Sequence, residues 1–205
     1  MAALGRVVNM AYWLGLIVWI AAIITVAIAA MNTFATLPDA DLGVRLESFA
    51  AYPAEHHGRL AAGMVMERNF FAADVMQMVA IPVVVIALLA QVAFLGMSLR
   101  RPANLIRCIC LLGAAGVFAF YAFTMAPRMN GELRAYWDAA RAGDMAQAES
   151  HRDAFDADHP RAELVLKINL ILAVIGAGAS TAAFTGARGG RAQTELEEPM
   201  LSRRP

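Results

Sequence analysis

A chain of 205 residues with 60% hydrophobic and only 17% charged side chains is too apolar for an ordinary soluble domain of this size. Its formal net charge is zero, so no basic surplus exists to hold nucleic acid or a strongly acidic partner. Composition therefore predicts one membrane domain and no nucleic-acid partner.

The first long apolar stretch, Val7 to Met31, runs 25 residues without a charge. A helix rises ~1.5 Å per residue and the hydrocarbon core is ~30 Å thick, so about 20 apolar residues suffice to cross. Arg6 before it and Ala27-Ile28-Ala29 within it also fit a cleaved signal peptide. A signal's apolar region is only about 7–15 residues long, so an uncleaved anchor carrying Trp13 and Trp19 is the expected form. Three further stretches follow, at 70–99, 103–126 and 168–187. The predicted fold is an all-α integral membrane four-helix bundle over residues 1–187. A polar tail, 188–205, lacks apolar periodicity and should be disordered on its own.

Between the first two spans lies the loop Asn32–Asn69, and between the last two the loop Pro127–Lys167. The N-terminus, the short 2–3 turn and the tail hold eight cations (Arg6, Arg100, Arg101, Arg107, Arg188, Arg191, Arg203, Arg204) against three acids. The opposite side holds nine cations against fourteen acids, thirteen of them in the two longer loops and the last, Asp74, in the second span. The positive-inside bias then predicts both termini in the cytoplasm of a bacterial inner membrane, with the long loops facing outward. In the second outer loop, Glu132 to Ala142 is rich in helix formers and ends at Gly143, a C-cap residue. Adjacent Tyr136 and Trp137 predict that this short amphipathic helix rests at headgroup level along the membrane surface. Asp144 offers an N-cap for a second segment, Met145 to Asp156, and Pro160 suits the first turn of the last span.

The most unusual polar residues in an apolar setting lie in the run from Leu60 to Met78. As a helix, this run puts Leu60, Met64, Glu67, Phe71, Asp74 and Met78 within about 60° of one another. Ionised groups at membrane depth are expensive and face a bundle interior, a water-filled cavity or a cationic partner. Glu67 and Asp74 are therefore the candidate polar residues of the membrane face. The alternative is that the helix begins outside the bilayer, with Glu67 solvated and Asp74 at the interface paired to arginine.

His56 and His57, with Met64 and Glu67 close behind, form the candidate metal set, since thioether and imidazole donors suit copper in an oxidising compartment. Met64 and Met66 point ~200° apart on a helix, and methionine is a common packing residue, so no metal is expected. All four histidines lie outside the spans, which leaves no facing imidazoles to ligate haem within the bilayer. Cys108 and Cys110 point about 200° apart and read as small apolar filler. No Gly-rich phosphate loop, Cys-x-x-Cys motif or nucleophile elbow occurs. No catalytic or cofactor-binding residue is assigned, and the reading leans away from an enzyme. Small residues at Gly113, Gly116, Gly176 and Ser180 are the candidate helix-packing positions, and Pro82 should kink the second span.

Several short motifs resemble the transmembrane protein 205-like family of four-span proteins of unknown function. They are Trp13-Leu14-Gly15, Arg59-Leu60-Ala61-Ala62-Gly63-Met64-Val65 leading to Phe70-Phe71, Met125-Ala126-Pro127-Arg128-Met129, and Phe155 and His159 followed by Asn169. The chain departs from that pattern at Glu67-Arg68-Asn69. The anthrone oxygenase-like four-span family has a similar shape and a similar motif after its third span. Neither resemblance supplies a catalytic residue. The expected function is a non-enzymatic accessory or scaffold subunit, surrounded by membrane lipid and packed against other membrane subunits or copies of itself. The alternative is a small transporter or ion- or metal-handling protein using Glu67 and Asp74.

Overall fold

The computed structural model describes the backbone of residues 2–201 and the side chains of residues 3–183, Ala40 excepted. Every regular element among them is helical. Helix α1 is Ala2–Thr36, α2 His57–Ala93, α3 Pro102–Phe120, α4 Ala126–Ala142 and α5 Met145–Leu201. Three short 3-10 turns, Ala40–Leu42, Glu47–Phe49 and Ala54–His56, fold the connection between α1 and α2. Four helical rods are long and apolar enough to cross a membrane: Ala3–Thr36, Ala54–Ala93, Pro102–Ala142 and Met145–Ala183. The all-α, multi-pass bundle expected from composition is thus the observed fold. Of the tail 188–205, expected to be disordered on its own, the part up to Leu201 continues α5, and 202–205 lie outside the described residues.

The rods are longer than the apolar stretches, and this corrects the reading of both outer loops. The third rod does not stop at Ala126. Pro127 has no N–H to return to Phe123, and the chain responds with a π turn at Tyr121–Met125, in which the Ala126 N–H reaches the Tyr121 carbonyl. The helix then continues as α4, upright and packed on α5 rather than along the membrane surface. Nor does Pro160 start a helix, because α5 runs unbroken through it from Met145. The turn between α4 and α5 follows expectation. Gly143 adopts φ 75°, and the Asp144 and Gly143 N–H groups return to the Ala139 and Ala140 carbonyls at 3.0 and 3.3 Å. Asp144 then caps α5 through its carboxylate, which accepts the Gln147 N–H at 3.1 Å.

The helices associate as two antiparallel pairs, α1 with α2 and α3–α4 with α5, joined along α1–α5 and α2–α3. Gly15 makes the first pair close: a Cβ there would stand 2.9 Å from Val84 Cγ2 and 3.3 Å from the Ala80 carbonyl oxygen. Gly176 does the same for the second, against the Leu111 side chain. The main apolar core runs through Tyr12, Leu16, Trp19, Ile23, Ala80, Val84, Leu88, Leu111, Ala114 and Phe118.

A second core lies where the rods project past their apolar stretches, at the end away from the termini. There Phe49, Tyr52, Leu60, Tyr136, Trp137, Ala140 and Ala148 close a small head. Tyr136 and Trp137 are buried in it, where the sequence predicts rings presented to the membrane surface. Cation–aromatic contact helps seal the head, with the Arg141 guanidinium 4.9 Å from the Phe49 ring centre.

Candidate functional site

Within the head, His57 is 4% exposed and both ring nitrogens are in use. Nδ1 accepts the Leu46 N–H at 3.0 Å, which places the proton on Nε2, and Nε2 donates to the Phe49 and Tyr52 carbonyls at 3.0 and 3.1 Å. The imidazole thus pins the 37–56 segment and has no lone pair to offer a metal. Of its suggested co-ligands, Met64 packs on the head core and Glu67 accepts from Arg134 Nε at 3.1 Å. No cluster of three or more His, Cys, Asp or Glu side chains that could hold a metal ion occurs among the described residues. His151 is 2.7 Å from Glu132, and His159 lies beside the Phe155 ring.

Glu67 and Asp74 lie on one helix but in different surroundings. Glu67 belongs to the head through its ion pair with Arg134 on α4. Asp74, two helical turns deeper and half-buried, has the Tyr121 side chain as its polar neighbour. Its partner is therefore a phenol on the π turn of the third rod, not an arginine at the interface. A π turn changes the direction of the side chains it carries, and such turns recur at functional positions. Here Pro127 creates the turn that carries Tyr121.

Below this pair the bundle interior is polar to an extent that apolar periodicity does not reveal. Gln77 is 1% exposed, Asn169 2% and Trp19 0%. Gln77 Oε1, Asn169 Oδ1 and Trp19 Nε1 find no hydrogen-bond partner among the described residues. The packing contacts set their relative depth. Gly15 lies against Ala80 and Val84, Gly113 against Leu172, Gly176 against Leu111, and Tyr12 bonds Ser180. With ~1.5 Å of rise per residue, these pairings bring Trp19, Gln77, Asn169 and Asp74 to about one turn of the same level. One N–H donor and two carbonyl acceptors are thus buried at mid-bundle, each costing about 1–3 kcal/mol if left unpaired.

Nearer the termini the interior is polar again, and there the side chains bond to one another. The Tyr12 hydroxyl meets Ser180 Oγ at 2.5 Å, and Ser180 Oγ donates to the Gly176 carbonyl at 2.6 Å. Arg107, counted in the sequence with the loop cations, is 2% exposed inside the bundle. Its guanidinium donates to Gln91, contacts the Met97 sulfur and lies 5.3 Å from the Tyr12 ring centre. Gln91 in turn donates to Asn9 at 3.1 Å. Two of the four small packing positions, Gly176 and Ser180, are therefore consumed inside the chain. Gly113 lies near Leu172, while Gly116 has open space beside it.

A third feature is a cleft of about 290 Å³ between the π turn and α5, lined by Phe120, Thr124, Met125, Arg128, Arg161, Leu164 and Val165. Comparison with known proteins returns no matching family model, no matching curated protein and no matching solved structure.

Proposed function

We propose that this chain is a small multi-pass transport protein that handles protons through its polar interior, with Asp74 as the exchanging group. The observation that carries the reading is the depth of Asp74. It lies within about one turn of three buried polar side chains, each with one hydrogen-bonding atom unpaired, and it neighbours Tyr121 on the π turn. A carboxylate at membrane depth is costly, and such groups characteristically mark ion paths and proton relays. Tyr121 flanks it, and Gln77, Asn169 and Trp19 offer a proton-bearing species both acceptors and a donor. Tyr12, Ser180 and the Arg107 cluster extend the polar line toward the terminal end. The positive-inside bias supports placing that end in the cytoplasm of a bacterial inner membrane.

The test is proton flux into liposomes that carry the purified protein and an entrapped pH-sensitive dye, driven by a potassium diffusion potential. Wild type should acidify the lumen, Asp74→Asn should abolish the flux, and Asp74→Glu should restore part of it. Equal flux from wild type and Asp74→Asn, with both variants correctly folded, would sink the proposal.

A scaffold role is the second reading, and a different face supports it. Along α3, the small residues Gly113 and Gly116 lie among exposed Ile109, Leu112 and Phe120, a combination that suits close approach of another membrane helix. Migration as a strict monomer after mild solubilisation, with no partner in a pull-down, would end that reading.

A further inference from the structure

We infer that the cleft between the π turn and α5 is a binding site for one anionic phospholipid, with the phosphate held by Arg128 and Arg161 and an acyl chain laid against the apolar wall. The wall is Phe120, Met125, Leu164 and Val165, and the two arginines stand with Thr124 at its polar edge. The position fits a lipid better than a soluble ligand. On the third rod the exposed apolar band reaches Phe123, 78% exposed, and on α5 it begins at Leu164, 57% exposed. Arg128 and Arg161 follow immediately on the head side of that band, which is where headgroups lie.

The charge also fits. Asp158 is mostly buried and binds both arginines, Arg128 Nη2 at 2.5 Å and Arg161 Nη1 at 3.5 Å. It draws a side chain of α4 and one of α5 toward the same point, yet a single carboxylate offsets only one of the two positive charges. Arg128 and Arg161 side chains remain 60% and 75% exposed, so their remaining N–H donors face outward. A phosphodiester supplies the missing negative charge and acceptor oxygens in the geometry that arginine binds well. Zwitterionic lipid brings its own cation to the same place and gains less. This site is independent of the proton path, since neither Asp74 nor Tyr121 lines it.

The experiment is native mass spectrometry of the full chain released from neutral detergent micelles, titrated separately with phosphatidylglycerol, phosphatidylcholine and inorganic phosphate. Wild type should retain one phosphatidylglycerol in clear preference to phosphatidylcholine, and inorganic phosphate should neither bind nor compete. Arg128→Gln with Arg161→Gln should weaken phosphatidylglycerol binding about thirtyfold, from the loss of two interfacial cations. Arg134→Gln, which removes an exposed cation outside the cleft, should leave it unchanged. A second variant, Val165→Trp, fills the apolar wall without touching charge and should also displace the lipid. Equal retention of the two lipids, binding of phosphate alone, or equal losses from Arg134→Gln and the double variant would overturn the assignment. Should the double variant fail to fold, full phosphatidylglycerol retention by Val165→Trp would overturn it, and loss would sustain it.

Discussion

Replacing His57 with alanine tests whether one imidazole holds the head together. The ring makes three hydrogen bonds to backbone groups of the 46–52 segment and is itself buried. At about 1 kcal/mol net for each bond, the loss is about 3 kcal/mol, before any cost of leaving the Leu46 N–H without an acceptor. That energy belongs to a local opening of the 37–56 segment, not to the bundle, because the partners of His57 all lie in the head. Since ~1.4 kcal/mol is tenfold in an equilibrium constant, amide exchange in this segment should speed up about a hundredfold. The assay is hydrogen–deuterium exchange by mass spectrometry in micelles, comparing peptides that cover 44–56 with peptides that cover 12–26 of α1. Faster exchange confined to the first set is the expected result. Unchanged exchange at 44–56, or an equal rise in both sets, would refute the reasoning.

Gly15→Leu should lower the thermal unfolding midpoint of the solubilised protein through a loss of about 1–3 kcal/mol, because even the first added carbon would press on Val84 and the Ala80 carbonyl. Light scattering during the melt would separate unfolding from simple aggregation, and an unchanged midpoint would show that α1 and α2 are less closely packed. Tyr12→Phe and Ser180→Ala should each cost about 1 kcal/mol by denaturant titration, and the double variant less than their sum, since both remove the same 2.5 Å contact. Full additivity would mean that the two hydroxyls do not interact.

The four spans were legible because apolar length is a direct physical requirement of the bilayer, and no tertiary contact can override it. The Gly143 turn and the Asp144 cap were legible for a similar reason: local backbone geometry alone demands those residue types. Pro127 and Pro160 both suggest helix boundaries in the sequence, yet neither ends or starts a rod. A proline inside a helix removes one hydrogen bond and forces one local adjustment, and neighbouring packing can sustain the helix on either side. At Pro127 the adjustment is the π turn, and its outcome is the one feature that brings Tyr121 to Asp74. No single-residue pattern announces such a pairing. Glu67 and Asp74 share a helix face at the level of sequence, yet their partners come from different rods, so spacing could flag both but not separate them. From the sequence His57 is a metal-ligand type. Its actual role depends on a chain reversal at 46–52 that the composition of the loop does not specify.

The placement of half-buried Asp74 and buried Arg107 supports the transport reading over a purely structural interior. Arg107 could neutralise Asp74 at lower cost if the two were adjacent, because an ion pair within the bilayer offsets the desolvation that each charge suffers alone. Instead Arg107 occupies the level of Tyr12 and Ser180, while Asp74 lies with Tyr121 near the level of Ile23, about 15 Å away along the bundle axis at ~1.5 Å per residue. Gln77 and Trp19 fall in the interval, and Asn169 lies at its Asp74 end. A chain under selection for stability alone would bring the two charges together or replace the intervening polar groups with leucine. Keeping a carboxylate and a guanidinium apart, with polar side chains between, preserves a cation barrier at one end and a protonatable group at the other. Gln77→Leu therefore distinguishes the two roles. A structural interior predicts a more stable protein with unchanged flux, whereas a proton path predicts equal or greater stability with the flux lost.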